Sequence, residues 1–316
     1  MSPPTRAWLQ IHFCVVLWGF TAVLGKLITL HALPLVWWRM VLVIGALLLV
    51  GRFWSGLRTM APRLILIYAG IGVVVALHWL TFYVSIKLSN ASVAATCMAL
   101  TPVFVAFAEP VLARRRFDAR ELIFGLAVIP GVALVVGGTP AGMRLGIAVG
   151  ALSAFFVAIF SSLNKRFIGQ SEVLSVTGVE MAAGAIFLTL LAPLVLGGDS
   201  LFVLPARQDA IYLIGLAFGC TLLPFALSLI ALRQLTAFTT ALAVNMEPVY
   251  AIVLAIILLG EQRELDPAFY AGVAIIMIVV FSHPLVMRKR SPAAVAEAVF
   301  TDGVAGAGQP GRDMNG

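Results

Sequence analysis

The chain has 316 residues, 61% of them hydrophobic and 11% charged, against roughly 25% charge in a soluble domain. That balance excludes a water-soluble enzyme. The formal charge of +7 does not indicate nucleic acid, because the 21 Lys and Arg lie singly or in small clusters between apolar stretches, as membrane topology signals do.

A bilayer core about 30 Å thick needs about 20 apolar residues per helix. Cut at that length, the chain reads as an all-α integral membrane protein with ten spans: 8–28, 33–51, 64–84, 91–112, 121–138, 145–163, 173–196, 210–230, 236–259 and 268–287. The first stretch has no clear small-residue cleavage site, so it is read as a retained helix and not a signal peptide. Turn signals separate the spans, among them His31-Ala32-Leu33-Pro34, Ser55-Gly56, Ser89-Asn90, Gly137-Gly138-Thr139-Pro140 and Gly197-Gly198-Asp199-Ser200. Cys14, Cys97 and Cys220 fall inside apolar stretches and read as packing residues.

With the N-terminus on one side, alternation puts fifteen Lys and Arg on that side and five on the other, Arg39 lying within a span. The richer side is cytoplasmic. Both termini are then inside, which requires an even number of spans. Residues 291–316 are rich in Ala, Gly and Pro and are expected to form a disordered cytoplasmic tail.

Sliding the chain by 146 positions lays Ala91, Ala95, Pro102, Val103 and Leu112 on Ala237, Ala241, Pro248, Val249 and Leu258. Two five-helix units follow, 1–138 and 145–287. An odd number of spans per unit forces the second to insert upside down, and inverted repeats place a substrate site between the halves near the midplane.

These residues resemble the EamA-type exporters of the drug/metabolite transporter superfamily. The carriers are Leu17-Trp18-Gly19-Phe20, Trp38-Arg39, the run from Phe82 to Ala95, and Glu247-Pro248-Val249-Tyr250 followed by Leu259-Gly260-Glu261. In the first half, Glu109-Pro110 and Arg114-Arg115-Arg116 stand where a Leu-Gly-Glu ending is expected. The resemblance implies ten helices in two repeats, no enzymatic activity and no cofactor. It further implies export of amino acids, aromatic compounds, nucleobase or vitamin derivatives or metallophore-like metabolites, often coupled to protons.

An ionisable side chain at mid-span costs roughly 2.5–3.5 kcal/mol, so each raises a functional question. Glu247 lies midway along the ninth span, and Pro248 frees the carbonyl of Val244 from its helix bond. A carboxyl there is a candidate proton carrier. Asn245 points elsewhere on the same helix. Arg39 either holds a substrate carboxylate through two parallel bonds, snorkels outward or locks helices together.

Glu180 and Arg39 sit on opposite sides of the midplane, so no direct salt bridge is expected between them. Glu109 reads as a gate or a solvated ion pair. His78 and Trp79, with Tyr83 a turn on, form either a cavity wall with a titratable group or, for His78, a structural hydrogen bond. Trp18 beside Gly19 lines the cavity or faces lipid. Pro102 and Pro248 are the expected hinges. Gly146/Gly150 and Gly215/Gly219 have the spacing of close helix crossings, within the chain or between copies.

The expected partners are a small-molecule substrate, membrane lipids and a coupling proton, with no nucleic acid and no metal. An exporter is favoured. An importer of a vitamin-like metabolite fits the same architecture, whereas an enzyme acting on a lipid-linked substrate lacks any His-Glu-x-x-His or Gly-x-Ser-x-Gly pattern.

Overall fold

The computed structural model describes residues 3–112, 123, 126–197, 200–224, 227 and 246–287, and among these the regular structure is entirely helical. In chain order the helices are α1 (Pro3–Leu27), α2 (Ala32–Leu48), α3 (Gly51–Thr59), α4 (Pro62–Leu88), α5 (Ala91–Met98), α6 (Thr101–Leu112) and α7 (Ile129–Gly137). They continue with α8 (Arg144–Phe167), α9 (Val173–Val195), α10 (Arg207–Ile214), α11 (Glu247–Leu259) and α12 (Pro267–Met287). The tail and Arg114–Arg116 lie outside the described residues.

Among the described residues, five helical stretches are long and apolar enough to cross a bilayer, α5 and α6 counting as one, and the bent pair α2–α3 makes a sixth. Glu247–Leu259 and Pro267–Val279 are shorter apolar helices. Leu66, Leu190, Leu194 and Ile257 are more than 70% exposed, as lipid-facing residues of a membrane bundle are.

Helix ends follow local chemistry. Pro62 opens α4, where a missing N–H costs nothing. Asn90 caps α5 by accepting from the Val93 amide at 2.9 Å, and Glu172 caps α9 by accepting from the Ser175 amide at 3.0 Å. Gly260, at φ +70°, ends α11 in the left-handed conformation that glycine adopts without a steric penalty.

The Ser55-Gly56 pair expected as a loop lies inside α3, which turns 90° away from α2. Phe53 is buried while Arg52 and Arg58 are exposed, so this short helix is two-faced. The Ser175 hydroxyl donates to the Phe53 carbonyl at 2.8 Å, and a Cβ on Gly56 would collide with Ser175 and Glu172. Close packing on the start of α9 overrides the glycine's preference for a turn.

The core is built on α4, which packs against α8 and α9, while α1 and α5 pack on α11, and α7 on α12. Lipid supplies little hydrophobic drive for helix association, so close backbone approach matters. A Cβ on Gly150 would sit 2.7 Å from Cys97 Sγ, and one on Gly146 would sit 2.7 Å from the Ser89 side chain. This small-residue pair therefore serves a crossing within the chain. Among the described residues Gly215 and Gly219 show no such crossing: a Cβ on either meets nothing within 4 Å. They fall in a π-helical stretch, Gly215–Leu222. The three cysteines are buried and unpaired.

Candidate functional site

At the centre of the bundle, α1, α4, α5 and α11 leave a cavity of about 10 Å³ lined by Trp18, Phe82, Met98, Glu247 and Pro248, room for about one water molecule. Glu247 and Pro248 are the first two residues of α11, as Thr101 and Pro102 are of α6. The chain breaks at residues 99–100, between α5 and α6. Both expected hinge prolines therefore stand in the first turn of a helical segment. Asn245 lies outside the described residues.

Arg39 is 3% exposed. Its Nε donates to Thr221 Oγ1 and its Nη1 to Tyr83 Oη, both at 2.9 Å. The guanidinium carbon sits 3.7 Å from the centre of the Trp79 ring, a cation–π stack. Snorkelling is thus not its role: the head group points into the protein and joins α2, α4 and the π-helical stretch. Thr221 in turn donates to the Leu216 carbonyl, five residues back, at 2.8 Å. The Arg39 charge acts on Glu247 and on Cys220, so acid and base share one electrostatic environment.

Trp79 and Tyr83 hold Arg39, and Phe82 between them faces the cavity. His78 reaches α8. Its Nδ1 lies 2.8 Å from Ser153 Oγ, whose hydroxyl donates to the His78 carbonyl at 2.8 Å, and its ring neighbours are Phe82 and Phe160. This reciprocal pair ties α4 to α8. Trp18 lines the cavity, and a Cβ on the adjacent Gly19 would lie 3.1 Å from the Ala251 amide, so α1 and α11 cross there in close contact.

Glu180 lies apart from the cavity, near the start of α9, and Arg39 and Glu180 keep separate partners. Glu109 is 6% exposed and buried in α6; Arg114–Arg116, the partners expected for it, lie outside the described residues.

A second polar group of contacts closes the Lys87 end of the bundle. Asp209 accepts from the Thr29 amide at 2.9 Å and the Thr29 hydroxyl at 2.6 Å. Glu261 accepts from the amides of Ala91 at 2.9 Å and Ser92 at 2.7 Å, the first two N–H groups of α5. Asn90 Nδ2 donates to Glu264 at 2.9 Å. Lys87 donates to the Ile28 carbonyl, and Trp38 Nε1 to the Val203 carbonyl at 2.9 Å.

Asp209 and Glu261 are 2% and 1% exposed. Each joins residues more than 160 positions apart. Thr221, Asp209 and the capping task of Glu261 escaped the sequence reading. For Glu261 the signal was present, in the Leu-Gly-Glu ending, but its partner was not.

The sequence profile of the EamA-like transporter family matches residues 6–137 and again 144–287. A search of curated protein sequences finds no match. Fourteen chains of solved structures resemble this one. One, titled "Crystal structure of protein", shares the fold at TM-score 0.61 over 91% of this chain and 99% of its own, with 17% identity.

Proposed function

The chain belongs to the EamA-like transporter family, and on that premise we propose that it exports a small polar or aromatic metabolite across a bacterial inner membrane by alternating access. In this reading ten spans form two inverted five-helix repeats. Both termini are cytoplasmic and the Lys87 end faces outward.

The carrying observation is the buried Arg39 stacked on Trp79 beside the cavity that Glu247 lines. A guanidinium presents five N–H donors, and the two bonds seen here engage only Nε and Nη1. Such a group suits a carboxylate, while Trp18 and Phe82 suit an apolar or aromatic body. A cavity of about 10 Å³ is far below the 300–1,000 Å³ of a typical small-molecule site. Substrate therefore enters only after helices part, and the Asp209 and Glu261 contacts are those that part on the outer side. Glu247, in the first turn of α11 and lining the cavity, carries the coupling proton.

Metabolite profiling of medium and cells from deletion and overexpression strains tests the export. Loss of uptake of a compound, with no external metabolite changed, overturns it. In proteoliposomes, Glu247→Gln should abolish transport driven by a pH gradient at normal protein abundance. Undiminished gradient-driven transport removes Glu247 as the carrier.

A further inference from the structure

Away from the cavity, at the opposite end from Lys87, α4, α8 and α9 enclose a cluster of oxygen atoms that the transport reading above leaves unused. Glu180 is 6% exposed, and its Oε1 is buried without a hydrogen-bond partner. Its carboxyl is hydrogen-bonded to Asn164, whose Oδ1 is also buried and unsatisfied.

Tyr68 acts electrostatically with Glu180 and contacts Ser171, and its hydroxyl donates to the Phe167 carbonyl at 2.6 Å. Ser171 Oγ is buried beside the Tyr68 hydroxyl. The backbone closes the site from below: a Cβ on Gly72 would strike the Glu180 carbonyl.

A buried carboxylate must be paired, neutralised or placed against a cation. Among the described side chains nearest in sequence, Arg166 donates to the Leu112 carbonyl and Glu172 caps α9. Of the groups facing Glu180, Tyr68 from α4 is titratable and Asn164 from α8 is neutral. Every unsatisfied atom in the cluster is an oxygen, the donor type that hard cations take.

We propose that Glu180, Asn164 and Ser171 form a second site, distinct from the metabolite cavity, that binds one monovalent cation, a proton or a sodium ion. The cation enters from the end where α4 begins. It supplies positive charge to the enclosed carboxylate, and its binding draws the ends of α8 and α9 together on α4.

The test uses the purified full-length chain in detergent with no metabolite present, so it is independent of the export assay. Thermal unfolding is followed against Na⁺, with K⁺ as the ionic-strength control. Proton uptake is followed with an optical pH indicator across the range in which the protein is stable.

A melting temperature that rises with Na⁺ but not K⁺ identifies sodium. Uptake of about one proton per chain more than in Glu180→Gln, without a Na⁺ response, identifies the proton. Either response should be lost in Glu180→Gln and weakened at least 5-fold in Asn164→Leu. If Glu180→Gln is too unstable, Asn164→Leu carries the test alone. Responses equal to wild type in both Glu180→Gln and Asn164→Leu, or a wild type insensitive to both cations, overturn the proposal.

Discussion

Glu261→Gln should release the closed Lys87 end of the bundle, which faces outward in the proposed reading. The carboxylate receives two backbone N–H bonds, 2.9 and 2.7 Å long, from the first turn of α5. Both are charge-assisted and both lie at a helix N-terminus, where negative charge is favoured. Glutamine keeps one acceptor oxygen and turns an NH₂ toward the other amide, so one bond is lost and a buried donor faces a donor.

At 1% exposure water does not repair this, and the cost is about 2–4 kcal/mol. If the bonds exist only while the outer end is shut, that cost falls on the shut state alone. The ratio of open to shut then rises roughly 30- to 900-fold. The assay places a reporter cysteine at cavity-lining Ala95 after replacing the three native cysteines, and times its labelling by an impermeant maleimide applied outside. Labelling should quicken at least 10-fold in Glu261→Gln. In Glu264→Gln, which alters an exposed carboxylate at the same end, it should change little. Unchanged labelling together with a lowered melting temperature would refute the reasoning, because the contact would then be permanent scaffolding and not a gate.

Other expectations concern packing and the site itself. Arg39→Lys keeps the charge but loses the planar fork that reaches Thr221 and Tyr83 in two directions, so transport should fall at least 10-fold while the protein still folds, as read by flux and size-exclusion profile. Gly72→Ala would bring Cβ to 2.6 Å from the Glu180 Cα, a backbone atom that cannot step aside. It should cost about 2 kcal/mol or more and lower the melting temperature, whereas Gly45→Ala, with open space around it, should not. Ser153→Ala breaks the His78 pair on the α8 side and should lower thermal stability while leaving the KM for substrate unchanged.

Hydropathy carried the span at 91–112 in full and most of those at 64–84 and 173–196, because a bilayer demands a continuous apolar length wherever a helix crosses. It also marked Pro102, which follows the break at residues 99–100, since a missing N–H is a local property. What it could not carry were contacts whose two partners lie far apart. Ser55-Gly56 has the composition of a turn, and only Ser175, 120 residues on, holds that segment as a helix. His78 has the same sequence signal whether it faces a cavity or Ser153. Glu261 was visible as a motif residue, yet its acceptors' partners are backbone amides, which carry no sequence signature at all.

The site around Arg39 illustrates why such chemistry resists reading from spacing. Residues 210–230 count as one regular span on hydropathy, and on a regular α-helix successive residues step by 100°. The stretch Gly215–Leu222 is instead π-helical, with the Thr221 hydroxyl closing back on the Leu216 carbonyl. Thr221 lies inside that stretch, so its direction does not follow from a 3.6-residue period. Its oxygen there accepts from Arg39 Nε, and the second half of the chain thereby holds the buried charge of the first.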